Sequence, residues 1–339
     1  MKKILLMLAS FGFSLGMVNA TNPTESADKL ELKRVKSGEA QFLFYKAYSG
    51  KKTMTLPAQG LERIKIRTGA GLVRVQAAEG SEIEVEAEVT LAAKNKEAAA
   101  AFVDKFMNLY LAGKDSTAIL VSRFYFEERN NFSQAFNPNG FFTSPVRKID
   151  LIVKVPAHLA VSIVDRSGDL IIKDLKNDVS VTDHSGDLVI KNVEGNLKVR
   201  DYSGDLRLSN INTENGAGKV ISISDNSGAI RVNGIGGAVS IRDASGDVDI
   251  RKIQGNLSVR DASGGLYIEN IAGDIKVVDA SGDIVTEDVQ GSVTLHDASG
   301  GIYVNGVSEN VHVKNAGTGD LRIKNSKGKI SGDLRRMYR

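Results

Sequence analysis

The tetrapeptide Asp-x-Ser-Gly returns through the second half of the chain at Asp165, Asp183, Asp201, Asp225, Asp243, Asp261, Asp279 and Asp297. Six of the seven intervals are 18 residues and one is 24. A period this short and this regular leaves few folds open. No single unit can bury its own apolar face, so each must lean on the units before and after it. The long interval contains NTENGAGK, a polar and Gly-rich stretch that reads as a six-residue loop insertion after Ile211. A degenerate ninth copy, NAGTGDL, begins at Asn315.

Within a period the apolar positions are fixed too. In 169–186, Leu170 and Ile172 flank Ile171, and Val179 and Val181 flank Ser180, with Leu175 between the two runs. Alternation of this kind is strand periodicity. Gly, Asn, Ser and Asp occupy the joints, where turns need them. The chain is therefore expected to be all-β, a parallel β-solenoid of about 18 residues per coil. Leu170, Leu188, Leu206, Ile230, Val248, Leu266, Ile284, Ile302 and Leu321 would form one inner column. Ten coils at a strand spacing of ~4.8 Å would make a rod of roughly 48 Å. The period suits a three-sided coil and also a flatter two-strand roll; a right-handed three-sided helix is the preferred expectation.

Stacking would turn the repeated aspartates into a column. A second acidic column follows the glycine at Asp169, Asp187, Asp205, Asp247, Asp283 and Asp320. Turn chemistry accounts for the first: Asp accepts N–H bonds from the residues after it, and Gly takes angles closed to other residues. The competing reading is calcium held by oxygen ligands, with Asp187, Asp205, Asp247 and Asp283 as candidate ligands. Calcium rolls, however, carry a Gly-Gly-x-Gly-x-Asp turn, which this chain lacks, and Ala229, Gly265 and Gly301 interrupt the column. A basic stripe directly precedes the aspartates at Arg200, Arg242 and Arg260, continued by His296 and Lys314. It reads either as a solvated outer face with weak ion pairs or as a grip on an anionic polysaccharide.

The first half is less regular. Residues 62–90 keep the alternation around Gly69 and Gly71 and read as a worn coil. A helix is expected near 94–112, capped by Asn95, spaced by Phe102, Val103, Phe106, Met107 and Tyr110, and stopped by Gly113. Phe132, Phe136, Phe141 and Phe142 lie in a polar, aromatic loop that either packs across the solenoid or presents a ligand-binding surface. The boundaries are then 1–20, signal peptide; 21–61, lead-in; 62–146, worn coil, helix and Phe-rich loop; 147–334, regular repeats; and 335–339, tail. No C-terminal cap is visible, although the charge in RRMYR would discourage end-to-end stacking.

Lys2 and Lys3, a short apolar run and the small residues ending at Ala20 have the layout of a cleaved secretory signal. The chain has no cysteine, so neither disulfides nor thiolate metal sites are available. Its 44 basic and 41 acidic residues leave no general case for nucleic acid. None of His158, His184, His296 and His312 shows metal-ligand spacing, and no nucleophile motif, phosphate loop or dinucleotide fingerprint is present. The expectation is no enzyme, no cofactor and no membrane span in the mature chain.

SGDLVIKNVEGNLKVRDYSGDLRL, at 185–208, the GAGLVRV start and the VRKIDLIVKVP lead-in resemble the bacterial putative adhesin family of exported β-strand-repeat domains. The resemblance covers roughly 62–90 and 147–334. It implies a right-handed β-solenoid in a cell-envelope setting and brings no catalytic residues. The expected function is an exported, non-enzymatic structural or adhesin-like binding module with an envelope protein or glycan as partner, in the periplasm in preference to the cell surface. A carbohydrate-binding or carbohydrate-active β-helix and a calcium-stabilised β-roll are the alternatives.

Overall fold

The computed structural model describes residues 30–35, 45–125, 147–214, 216 and 218–337. The signal segment and Phe132, Phe136, Phe141 and Phe142 lie outside them. In chain order the first elements are β1 (Lys33–Val35), β2 (Lys46–Pro57), β3 (Arg63–Thr68), β4 (Val73–Ala77), β5 (Glu82–Ala93), α1 (Lys96–Phe106), β6 (Met107–Lys114), β7 (Thr117–Phe124) and β8 (Arg147–Val155). The regular coils begin at β9 (Ala160–Asp165) and β10 (Leu170–Lys173) and end at β26 (Leu321–Lys324) and β27 (Ile330–Gly332).

Two sheets, of fourteen and thirteen strands, face each other across one core. Even-numbered strands from β10 to β26 stack in parallel in the first sheet, and odd-numbered strands from β9 to β27 in the second. The register is the repeat itself: Leu170 pairs with Leu188, and Leu188 with Leu206. The column from Leu170 to Leu321 is buried throughout. Of the two coil shapes left open by the period, the flat one with two strands per coil is found, in place of the three-sided coil preferred from the sequence. A third side survives as a single residue. Val193, Ile211, Ile235, Ile253 and Ile271 form a buried column at the sheet edge. Before each of these the chain turns through a left-handed residue such as Asn192 (φ 52°) or Asn210 (φ 55°). Asn and Asp tolerate that conformation better than most residues, and they fill most of these positions.

The Asp-x-Ser-Gly corner needs its glycine for two reasons. Gly204 has φ 129°, and a Cβ there would fall inside the carbonyl oxygen of Gly186 one coil earlier. The inserted residues after Ile211 are tied down by Asn212. Its buried side chain accepts from the Gly195 N–H at 2.7 Å and donates to the Gly195 carbonyl at 2.8 Å.

In the segment before the regular coils, β4 pairs in parallel with β10, and β3 with β9. Beyond it the ladder turns antiparallel, through β8, β5, β2 and β1 in one sheet and the β6–β7 hairpin in the other. Helix α1 covers this end with Ala99, Phe102 and Val103. Asn95 caps it as expected, accepting from the Ala98 N–H at 2.8 Å. The helix stops at Phe106 rather than running to 112. Residues from Met107 onward also alternate, burying Leu109 and Leu111, and pairing along β7 outweighs the helical spacing of Tyr110.

The C-terminal end is closed as well, which the sequence reading missed. Leu334 and Met337 pack on the core, and the Leu321 N–H donates to the Arg336 carbonyl at 3.2 Å. The ninth repeat is shifted by one residue. The register slips between Leu295 and His296, so Asn315 pairs with His296 and Ala316, not Asn315, continues the aspartate column.

Candidate functional site

All eight repeated aspartates point inward, between 0 % and 7 % exposed. Seven of them end a strand of the second sheet and Asp243 follows one directly, where the chain leaves the ladder to turn. The next residue still bonds backward, as the Tyr202 N–H does to the Asp183 carbonyl at 3.1 Å. The glycine bonds forward, as the Gly204 N–H does to Ser227 at 3.2 Å. The serine N–H between them has no ladder partner, and in four coils the aspartate supplies one. Ser203, Ser263, Ser281 and Ser299 donate to Oδ1 of Asp201, Asp261, Asp279 and Asp297 at 3.2, 3.3, 3.2 and 2.9 Å.

The other carboxylate oxygen is left over. Oδ2 is buried without a partner in all eight, and both oxygens are so in Asp183, Asp225 and Asp243. Burial pushes these carboxyls up, to about 7 for Asp183 and about 6 for Asp165, Asp201, Asp225, Asp243, Asp261 and Asp279. Asp297 is raised by the same cause. For Asp183 the neighbouring carboxyls of Asp165 and Asp201 add to it. Neutral residues close the column: Thr68, which donates to Asp165, at one end and Ala316 at the other.

The second acidic column lies outside. Its Oδ1 atoms accept the N–H of the equivalent residue one coil on: Asp205 to Asp187 at 3.2 Å, Ala229 to Asp205 at 3.2 Å, Gly265 to Asp247 at 3.0 Å and Gly301 to Asp283 at 2.8 Å. Arg207 bridges Asp187 and Asp205, and Arg231 adds a contact to Asp205. Among the described residues, no group of three or more His, Cys, Asp or Glu is arranged to hold a metal ion.

Arg200, Arg242 and Arg260 are exposed on the outer face of the second sheet, and Arg242 and Arg260 are direct neighbours in the ladder. The strand pairing makes this face two rows. One runs Lys65, Ser162, Ser180, Lys198, Ser222, Ser240, Ser258, Lys276, Thr294 and His312. The other runs Arg67, Val164, Thr182, Arg200, Ser224, Arg242, Arg260, Val278 and His296. Neither row contains an acid. Among the described residues, none of their lysines and arginines forms a salt bridge. Two open hollows of about 570 and 430 Å³ follow one another along the first row. Asp178 and Asp274 stand on their rim, with Oδ1 engaged by the N–H of Asn196 and Ser292 at 2.7 and 2.9 Å.

The outer face of the first sheet is built differently. Asp249, Arg251, Tyr267, Glu269 and Glu287 pair with one another there: Arg251 with Asp249 at 2.7 Å and Glu269 at 3.4 Å, and Tyr267 with Glu287 at 2.9 Å. The stripe of three arginines was visible in the sequence. The serine and lysine row beside it was not singled out, although the 18-residue period already places those residues in register.

Residues 61–284 match the Toastrack DUF4097 family. No curated protein matches the chain. Among solved structures, a putative cell adhesion protein from Clostridium sporogenes is 9 % identical, with a TM-score of 0.27 over 76 % of this chain and 99 % of that one. A putative adhesin from Parabacteroides merdae is 11 % identical, with a TM-score of 0.29 over 83 % and 96 %. A putative lipid binding protein from Parabacteroides distasonis is 15 % identical, with a TM-score of 0.33 over 83 % and 94 %.

Proposed function

For a chain that belongs to the Toastrack DUF4097 family, we propose the role of an exported, non-enzymatic binding module of the cell envelope, in the periplasm in preference to the surface. The observation that carries it is the outer face of the second sheet. Its cations are left without carboxylate partners on a rigid, fully laddered support, whereas on the opposite face Arg207, Arg231 and Arg251 are paired with carboxylates. A backbone held in fixed register leaves only the charged side chains to be ordered by a partner. The uniformity of the coils supports a role without catalysis. The main interruption of the repeat, after Ile211, is spent on holding Gly195 through Asn212. Export is supported by the basic and apolar start of the chain. Among the described residues, no helix is long and apolar enough to cross a membrane.

The test is cell fractionation of the tagged full-length chain with mass determination of its N-terminus. Recovery with the envelope or periplasm, beginning near residue 21, is the expected result. A cytoplasmic chain that keeps Met1 or Lys2 would overturn the reading.

A further inference from the structure

We propose that the outer face of the second sheet binds an extended polysaccharide bearing carboxylates, laid along the solenoid axis. This inference rests on the binding-module reading above and names its ligand.

Three features point to that occupant. The first is charge. Lys65, Lys198 and Lys276 on one row and Arg200, Arg242 and Arg260 on the other face solvent with no acid on either row. An anion meeting them displaces no internal partner. The second is spacing. Three ladder steps separate Lys65 from Lys198, and four separate Lys198 from Lys276. At the usual strand spacing these are intervals of ~14 and ~19 Å. Arg200, Arg242 and Arg260 fill in the second row, so that cations stand ~14, ~10, ~5 and ~5 Å apart along the axis, within reach of a chain with a carboxylate on every second sugar. The third is what lies between the cations. Ser162, Ser180, Ser222, Ser240, Ser258 and Thr294 fill the intervals with hydroxyls, which both donate to and accept from sugar hydroxyls.

The shape agrees. The two hollows are open and follow one another along the axis, with Asp178, Asn196, Asn256, Asp274 and Ser292 on one side together with the apolar Val220 and Ala238, so a linear chain can enter sideways and run from one to the other. A single-stranded nucleic acid fits less well. Sequence-tolerant binding of that kind relies on aromatic platforms for the bases, and the only aromatic rings in the two rows are those of His296 and His312.

The experiment is isothermal titration of the chain from residue 21 onward with hyaluronan, which carries one carboxylate per disaccharide. Carboxyl-reduced hyaluronan and a single-stranded oligonucleotide of matched length serve as comparison probes. One variant carries Lys198→Ser, Arg200→Ser, Arg242→Ser and Arg260→Ser. A charge-matched control carries Arg74→Ser, Lys173→Ser, Lys191→Ser and Lys324→Ser on the outer face of the first sheet. All eight positions are exposed, and circular dichroism checks that both variants keep the fold. The expected result is salt-sensitive hyaluronan binding that weakens roughly tenfold to a hundredfold in the first variant, as the joint loss of four exposed ion pairs implies. The control should bind as the parent does. Absence of binding, equal binding of the carboxyl-reduced polymer, equal loss in the control variant, or tighter binding of the oligonucleotide would each overturn the inference. Absence of binding by a protein that fractionates with the envelope would overturn this ligand and leave the broader reading standing.

Discussion

Replacing Asp183 by Asn should make the protein more stable, and only above the acid range. Asp183 is fully buried with both carboxylate oxygens unpartnered, and burial together with Asp165 and Asp201 pushes it up to about 7. In the unfolded chain the same group titrates near ~3.9. Below that value both states are protonated and the group contributes nothing. As pH rises past it, the unfolded state ionises first and the folded state binds more protons, so stability falls until pH passes the folded value. Integrated over that window, ionised Asp183 costs about 4 kcal/mol at pH 8 and less than about 1 kcal/mol at pH 4. Asn removes the titration and keeps an oxygen acceptor, and its amide can donate to a neighbouring carboxyl. Another column of this chain already does so, with Asn192 donating to Asp174 at 2.8 Å. Guanidinium unfolding followed by circular dichroism should show the Asp183→Asn midpoint raised by about 1 M at pH 8 and nearly unchanged at pH 4. The parent should itself lose stability from pH 5 to pH 8, because six further aspartates are raised to about 6. A gain that is independent of pH, or a lower midpoint at pH 8, would refute the account of a buried, unsatisfied carboxyl.

Gly204→Ala combines a clash against the Gly186 carbonyl with an unfavourable φ of 129°; it should cost about 3 kcal/mol or more by denaturant unfolding, and a neutral result would mean that the corners are loosely packed. Melting temperature should be the same in millimolar calcium and in excess chelator, since Oδ1 of Asp187, Asp205, Asp247 and Asp283 already accepts an N–H from the next coil; a rise with calcium would assign that column to an ion. Deleting 333–337 removes Leu334 and Met337 from the last coil and frees the Leu321 N–H; the exposed strand should promote self-association measurable by light scattering, and an unchanged monomeric mass would show that the tail is not a cap.

How much of this was legible in the sequence depends on whether a residue's surroundings repeat. Leu188 meets Leu206 because the period is constant, so counting residues is equivalent to reading the ladder, and the inner columns, the corners and the outward arginines all follow. Counting fails where the period does. The bulge between Leu295 and His296 moves Asn315 out of the aspartate column and puts Ala316 in it; its trace in the sequence is one extra residue, since Leu321 stands six residues after Asn315 where Ile302 stands five after Asp297. Residues 107–112 carry apolar side chains at both helical and strand spacing, and the decision rests with β7, which follows them in the chain. Burial of the aspartates was hidden for a different reason. Asp183 sits two residues after Val181 on a strand whose odd positions face inward, so alternation alone places it in the core. Its charge argued for the surface, and charge is a poor guide where the chain leaves a ladder. The turn strands one serine N–H in each coil, and an inward carboxyl can reach it where an outward one cannot, as Asp201 does for Ser203. Four coils make that bond, which gives an aspartate that is unfavourable in the core a role at the corner it closes.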